Sequence, residues 1–282
     1  MNCVSRHLEY AYQDWCIGSL AERLSDIETS QTFYRSAKKV WNLWSEELQH
    51  FAPKDNAGKW ASPFDINVCR KDSWNDPYFY EGVSRSWTYN VQADFAGLVA
   101  RCGGEVGFEQ HLDRYFEDKK IIAKETFMHI PYLYHYANRP DKSSKIVRRI
   151  LSKAYKPERF GIPDNEDMGC HSAFYICGLL GLYPMMGQDW YFLVAPAFER
   201  SVITLGQSGA ELIIEAQNPS DKNVYIESAS LNGARLDRAW IRHEEIKHGA
   251  VLSFSLSSSE TGWGRHNPPP SPLTSQEASL SV

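Results

Sequence analysis

The hydrophobic period of this chain changes once, near Pro184, and that change limits what the chain can fold into. Before it, apolar residues recur at helical spacing. In "HLEYAYQDWCIGSLAERL", Leu8, Ala11, Tyr12, Trp15 and Cys16 fall at i, i+3, i+4, i+7 and i+8, one stripe of an amphipathic helix. A second helix is predicted at "SQTFYRSAKKVWNLWSEEL", and further ones over 82–101, at "GFEQHLDRYFEDK", "HIPYLYHYA" and "SSKIVRRILSKAY", and over 171–182. Between them, Phe51 to Asp76 is polar and punctuated by Pro and Gly, which predicts a long loop of the kind that tends to be functional. After Pro184 the runs "SVITL", "ELIIEA", "VYIESASL" and "VLSFSL" are short and alternating or β-branched, and Asn232-Gly233 signals a hairpin. The expected fold is mainly α, a layered or toroidal helical domain over 1–186. A small antiparallel β segment follows over 187–257, and 258–282, with "NPPPSPLTSQ", reads as a disordered tail.

Composition narrows the function classes. At 282 residues and 43% apolar, the chain can build one large core or two ordinary ones. Its net charge of −5 contains no basic or acidic block, so no nucleic acid and no membrane surface is expected as a partner. No segment approaches the roughly 20 apolar residues of a membrane span, and "MNCVSRHLEY" lacks the layout of a signal peptide. The six cysteines are scattered and never form CxxC, which argues against a zinc site and does not demand disulfides. Nine tryptophans and fifteen tyrosines leave two readings open, rings lining a sugar cleft or rings filling a core. Of the four rings weighed, Trp60, Trp74, Trp87 and Tyr89, Trp87 is expected in the core and the two loop tryptophans near a site.

Three acidic islands stand where helical patterns begin or end: Glu81, Glu125 and the run Asp164-Asn165-Glu166-Asp167. Two converging carboxylates are what glycoside hydrolysis needs, one protonated to deliver a proton to the leaving oxygen and one ionised to activate water. The same residues serve equally as helix caps that complement the macrodipole, so spacing alone leaves both readings open.

Four ordered motifs add a resemblance. "SRHLEYAYQDWCI" (5–17), "YEGVSRSWTYNVQAD" (80–94), "ETFMHIPYLYHYANRP" (125–140) and "GIPDNEDMGCHSAFYICGLLGLYP" (161–184), followed by "NVYIESASLNGARLDRAWIRHEEI" (223–246), resemble the C-terminal half of the family 92 glycoside hydrolases, calcium-dependent exo-α-mannosidases. The resemblance implies the later part of an (α/α)6 barrel and a mannose-containing oligosaccharide, α-1,2-linked and of N-glycan or mannan type, as substrate. It also implies inversion of configuration, a Ca2+ cofactor bound by oxygen ligands, and export for most members. Another polypeptide or self-association would complete the barrel.

Laid onto this sequence, the resemblance makes Glu81, followed by Gly82, the general acid and Asp167 the general base. Asn165 and Glu166 become substrate-binding neighbours; Asn165 adds hydrogen bonding without another like charge beside the base. Glu125 becomes a sugar or metal ligand, and His129 matches the second histidine of the motif Gly-Asn-Glu-Pro-x-His-His. The departures are specific. "AKET" places Lys124 where that motif has an amide oxygen and Thr126 where it has proline, Met128 replaces the first histidine, and "VSRS" after Gly82 introduces Arg85.

Overall fold

A computed structural model describes residues 2–70, 74–117 and 124–274. Part of the predicted loop at 51–76, the last two residues of the predicted helix at 107–119 and the end of the tail lie outside the described residues. By contacts the chain divides into two compact units, Met1–Phe108 with Pro270–Val282, and Glu109–Pro269.

In the first unit, helix α1 (Cys3–Arg23) buries Val4, Leu8, Ala11 and Trp15, the stripe read from the sequence. Helix α2 (Ile27–Ala37) starts earlier than predicted because Asp26 caps it, its Oδ1 accepting the Thr29 N–H at 3.1 Å. The two helices cross closely at Gly18, where a Cβ would stand 2.7 Å from the Tyr34 ring. The predicted continuation to Leu48 does not form. The chain tightens into a 3-10 turn (Lys38–Leu43) and then a hairpin, β1 (Trp44–Ser45) with β2 (His50–Phe51). Aromatic packing decides this, since Trp41 and Trp44 lie 5.6 and 5.5 Å from Phe51, a cluster one continuous helix could not assemble. The predicted helix over 82–101 is two short ones, α3 (Ser84–Trp87) and α4 (Phe95–Arg101), the second capped by Asp94.

The tail differs from expectation as far as Thr274. Leu273 is 3% exposed and packs with Trp15, Ala37 and Ala93, its N–H bonded to the Ala93 carbonyl at 3.0 Å. Ser271 Oγ accepts the Ala96 N–H at 3.0 Å. One apolar anchor and a few hydrogen bonds suffice to seat a Pro-rich segment whose composition alone predicts disorder.

Helix α5 (Gly104–Glu117) enters the second unit from Glu109, where it buries Leu112, Tyr115 and Phe116. "IPYLYHYA" (130–137) forms a 3-10 helix in which all eight residues are buried, and left-handed Asn138 ends it. Helix α6 (Pro140–Ala154) follows. Its first turn is tied down by Arg139 to Asp141 at 2.7 Å and to Glu109, and by Lys142 to Asp113 at 2.6 Å. Helix α7 (Cys170–Leu180) meets α6 at Gly178, where a Cβ would stand 2.9 Å from Leu151.

The strands beyond Leu180 form two sheets in this same unit. β3 (Leu182–Pro184), β4 (Trp190–Leu193) and β9 (Trp240–Arg242) are antiparallel in the order β3-β4-β9. The larger sheet has the order β5-β6-β10-β7-β8, from β5 (Arg200–Leu205), β6 (Ala210–Gln217), β7 (Tyr225–Leu231), β8 (Ala234–Leu236) and β10 (Ala250–Ser257). The expectation of an antiparallel β segment is corrected here, because β10 pairs parallel to β6 and antiparallel to β7. Inserting the last strand centrally places Leu252, Phe254 and Leu256 against Leu212, Ile214 and Ile226 in one core. The Asn232-Gly233 hairpin is borne out: it joins β7 to β8 with φ of 52° and 80°. No described helix is long and apolar enough to cross a membrane.

Candidate functional site

Glu81 belongs to the first unit, and the segment leading to it is pinned from several sides. The amides of Asn2, Cys3 and Val4, at the start of α1, bond the carbonyls of Asp76, Pro77 and Tyr78 at 3.2, 3.1 and 2.9 Å. The Asp76 carboxylate, 1% exposed, accepts the Tyr78 and Phe79 amides on Oδ1 and the Arg70 amide on Oδ2. Burial works to raise its pKa, yet these donors outweigh it and hold the carboxyl below its usual range. Ser5 Oγ accepts the Tyr80 N–H at 2.9 Å and Trp87 Nε1 donates to the Tyr80 carbonyl at 2.8 Å. Glu81 itself is half-buried with φ of 47°, in the left-handed region that a non-glycine residue occupies only when its surroundings impose it.

Of the four rings considered in this unit, Trp87 is in the core as expected. Trp87 is buried, as is Tyr89, while Trp74 is 59% exposed and sets its edge on Tyr80 at 5.3 Å. Trp60 lies at the surface under the Lys54 ammonium, 3.8 Å from its centroid. Arg85 is drawn to the loop, its backbone N–H on the Ile66 carbonyl and its guanidinium 3.4 Å from Asn67 Oδ1.

The other candidate residues belong to the second unit and gather around the start of α7. Glu125 opens a 3-10 turn (Glu125–Phe127) and is half-buried; Asn165, Glu166 and Asp167 are exposed on the turn before Cys170. Cys170 marks where these charges converge. Burial first, then the charges of Glu125 and Glu166 and, more weakly, of Asp167, push its thiol up. Left-handed Met168 and Gly169, with φ of 55° and 75°, turn the chain from Asp167 into the helix. Glu166 has a structural task, since its Oε1 accepts the Ser172 N–H at 2.9 Å in the first turn of α7. His129 is wholly buried.

Two pairings could not be read from the sequence. The Lys124 ammonium stands 2.7 Å from Asp164 Oδ2. That hydrogen bond first, helped by the Asn165 N–H, holds the Asp164 carboxyl below its usual range. Tyr155, at the end of α6, stacks on Phe174, and its hydroxyl lies 3.0 Å from Nδ1 of buried His171. Burial, with Cys170 and Glu166 nearby, pushes its phenol up. As arranged, these donors do not fit a calcium ion: Asp164 already serves an ammonium, Glu166 serves the helix, and no three His, Cys, Asp or Glu side chains among the described residues group to hold a metal. Glu125 is accordingly not part of any such group among the described residues.

Comparison with known proteins supplies the family. Residues 1–258 match the catalytic domain of glycosyl hydrolase family 92. A protein of Arthroderma benhamiae, described as a secreted glycosidase, is 31% identical over 95% of this chain and 37% of its own. Two solved structures from Bacteroides thetaiotaomicron are similar. One is a family GH92 α-mannosidase in complex with mannoimidazole, with TM-score 0.88 and 26% identity over 95% of this chain and 38% of that one. The other is a family GH92 inverting mannosidase, with TM-score 0.86 and 28% identity over 96% and 40%. The chain thus spans well under half the length of these relatives. With the family match running through both units of the fold, the chain belongs to glycosyl hydrolase family 92.

Proposed function

We propose that this chain carries the C-terminal part of an exo-α-mannosidase that releases terminal mannose, α-1,2-linked, from N-glycans or mannan with inversion. The helices before residue 186 are read as the later part of an (α/α)6 toroid, with the strands over 187–257 as its β-rich end. The observation that carries the reading is the family match over residues 1–258, with Asp167 exposed on the turn that leads into α7. Asp167 takes a proton from water as the water oxygen bonds to the anomeric carbon. Glu81 delivers a proton to the glycosidic oxygen as the bond to the departing sugar breaks. Inverting glycosidases in general hold acid and base roughly 6.5–9.5 Å apart, leaving room for the water. Glu125 and Asn165 hydrogen-bond sugar hydroxyls, while Glu166 fixes the turn on which the base sits.

A second reading is a relative that binds mannosides without turning them over, supported by the ammonium at Asp164. The deciding experiment is mannose release from α-1,2-mannobiose by the purified chain, beside Glu81→Gln and Asp167→Asn. Loss of about 10²–10⁴-fold in both variants supports catalysis by this pair. Turnover that survives either substitution refutes the assignment, and mannoside binding without turnover selects the second reading.

A further inference from the structure

The acidic turn contains its own counterion. Asp164 Oδ2 lies 2.7 Å from the Lys124 ammonium, while Oδ1 accepts the Asn165 N–H of the same turn at 2.9 Å. Both oxygens of this carboxylate therefore serve donors of the chain. The two side chains are 29% and 28% exposed, sheltered enough for the pair to be screened less than a surface contact. Glu166 is committed as well, to the Ser172 amide. A calcium ion needs six to eight oxygens, roughly, at close range. To use Asp164 or Glu166 it would have to displace an attached cation or a helix cap, which leaves Glu125 and Asp167 short of the oxygens such an ion needs.

We infer that Lys124 is the resident cation of this turn: its ammonium, fixed by Asp164, supplies the positive charge beside the acidic cluster and makes the turn indifferent to calcium. This deepens the mannosidase reading by assigning a positioning residue to the loop of the proposed base. It also separates this chain from the calcium dependence that the family resemblance implies.

The test is titration of CaCl2 into the folded chain by calorimetry, with amide NMR of Asn165, Glu166 and Gly169, on the wild type, Lys124→Gln and Lys124→Arg. The wild type and Lys124→Arg are expected to show no saturable binding up to about 1 mM, the weak end for calcium modules. Lys124→Gln, which keeps the stem and removes the charge, is expected to bind at least tenfold more tightly, about 1.4 kcal/mol, with shifts confined to the turn. Binding by the wild type below about 0.1 mM with shifts at these amides overturns the inference. So does a Lys124→Gln variant as indifferent as the wild type, or a Lys124→Arg variant that behaves like Lys124→Gln. Because the readout is calcium binding, absence of mannose release in every variant would count against the mannosidase reading and leave this result standing.

Discussion

Replacing Asp76 by Asn tests whether the segment that delivers Glu81 is held as the structure implies. Asp76 Oδ1 accepts two amides, from Tyr78 and Phe79, both at 2.8 Å, and Oδ2 accepts the Arg70 amide at 2.7 Å. An asparagine can keep its oxygen toward the pair, but its NH2 then faces the Arg70 N–H, donor against donor. One unpaired donor costs about 1–3 kcal/mol, and loss of charge assistance in the other two bonds about 1 kcal/mol more. The sum, about 2–4 kcal/mol, corresponds to roughly 4–16 °C in Tm for a chain of this size. Urea unfolding followed by tryptophan fluorescence reads it as a shift in midpoint at unchanged slope. The sign with pH is fixed too. The folded carboxyl titrates below the unfolded value of about 3.9, so its stabilisation is complete above that value and is lost as pH falls through the folded one. The gap between wild type and Asp76→Asn should be full near neutrality and close in acid below about pH 4. A loss under about 1 kcal/mol at neutral pH, or a gap that widens on acidification, refutes the account.

Two further outcomes concern the second unit. His135 is buried, with Nδ1 2.7 Å from the Tyr132 carbonyl and Nε2 3.0 Å from the Leu193 carbonyl; burial pushes its pKa down to about 4 despite these acceptors. With the folded value below the unfolded one of about 6.5, stability is complete above the latter and falls by about 3 kcal/mol as pH drops toward the former. Urea midpoints taken across that window should slope for the wild type and flatten for His135→Gln; equal slopes would sink the claim. Gly181 closes α7 with φ of 74°, and a Cβ there would stand 2.4 Å from the Val194 carbonyl oxygen, whereas Gly209, with φ of 72°, faces open space. Gly181→Ala should therefore cost more than about 2 kcal/mol and Gly209→Ala only about 1 kcal/mol, read as Tm shifts. Equal losses would show that the backbone angle, not the close approach, governs Gly181.

What the sequence revealed, and what it did not, follows from how local each cause is. The stripe of α1 and the Asn232-Gly233 hairpin are written in adjacent residues and were legible. The end of α2 was not, because Trp41 and Trp44 leave the helix to meet Phe51 across a turn. Nor was the parallel pairing of β10 with β6, since alternation records which face of a strand is buried and not the direction of its neighbour. At the site, the acidic positions could be read from motif and charge. The partners that discriminate among them could not: Lys124 reaches Asp164 across forty residues of sequence, and Tyr155 is one of fifteen tyrosines until the fold sets it against His171.

Backbone angles and acceptor partners divide the acidic residues near helix starts into two groups. Asp26 and Asp94 have ordinary backbone angles, φ of −88° and −145°, and each accepts an amide three residues on, Thr29 and Gly97. Glu166, with φ of −91°, serves the Ser172 amide in the same spirit. For these three, capping explains the residue. Glu81 and Asp167 are different. Among the described residues Glu81 is the one carboxylate with positive φ, and Asp167 is followed by left-handed Met168 and Gly169. A left-handed non-glycine residue costs about 1–3 kcal/mol and persists only where its surroundings over-determine it. Around Glu81 the determinants are identifiable: the Asp76 clamp, the α1 amides, Ser5 and Trp87 fix the backbone on its N-terminal side before the chain turns at Gly82. Strain held in place by a built support fixes where the Glu81 carboxylate can point, which is what presenting an acid to a substrate would require.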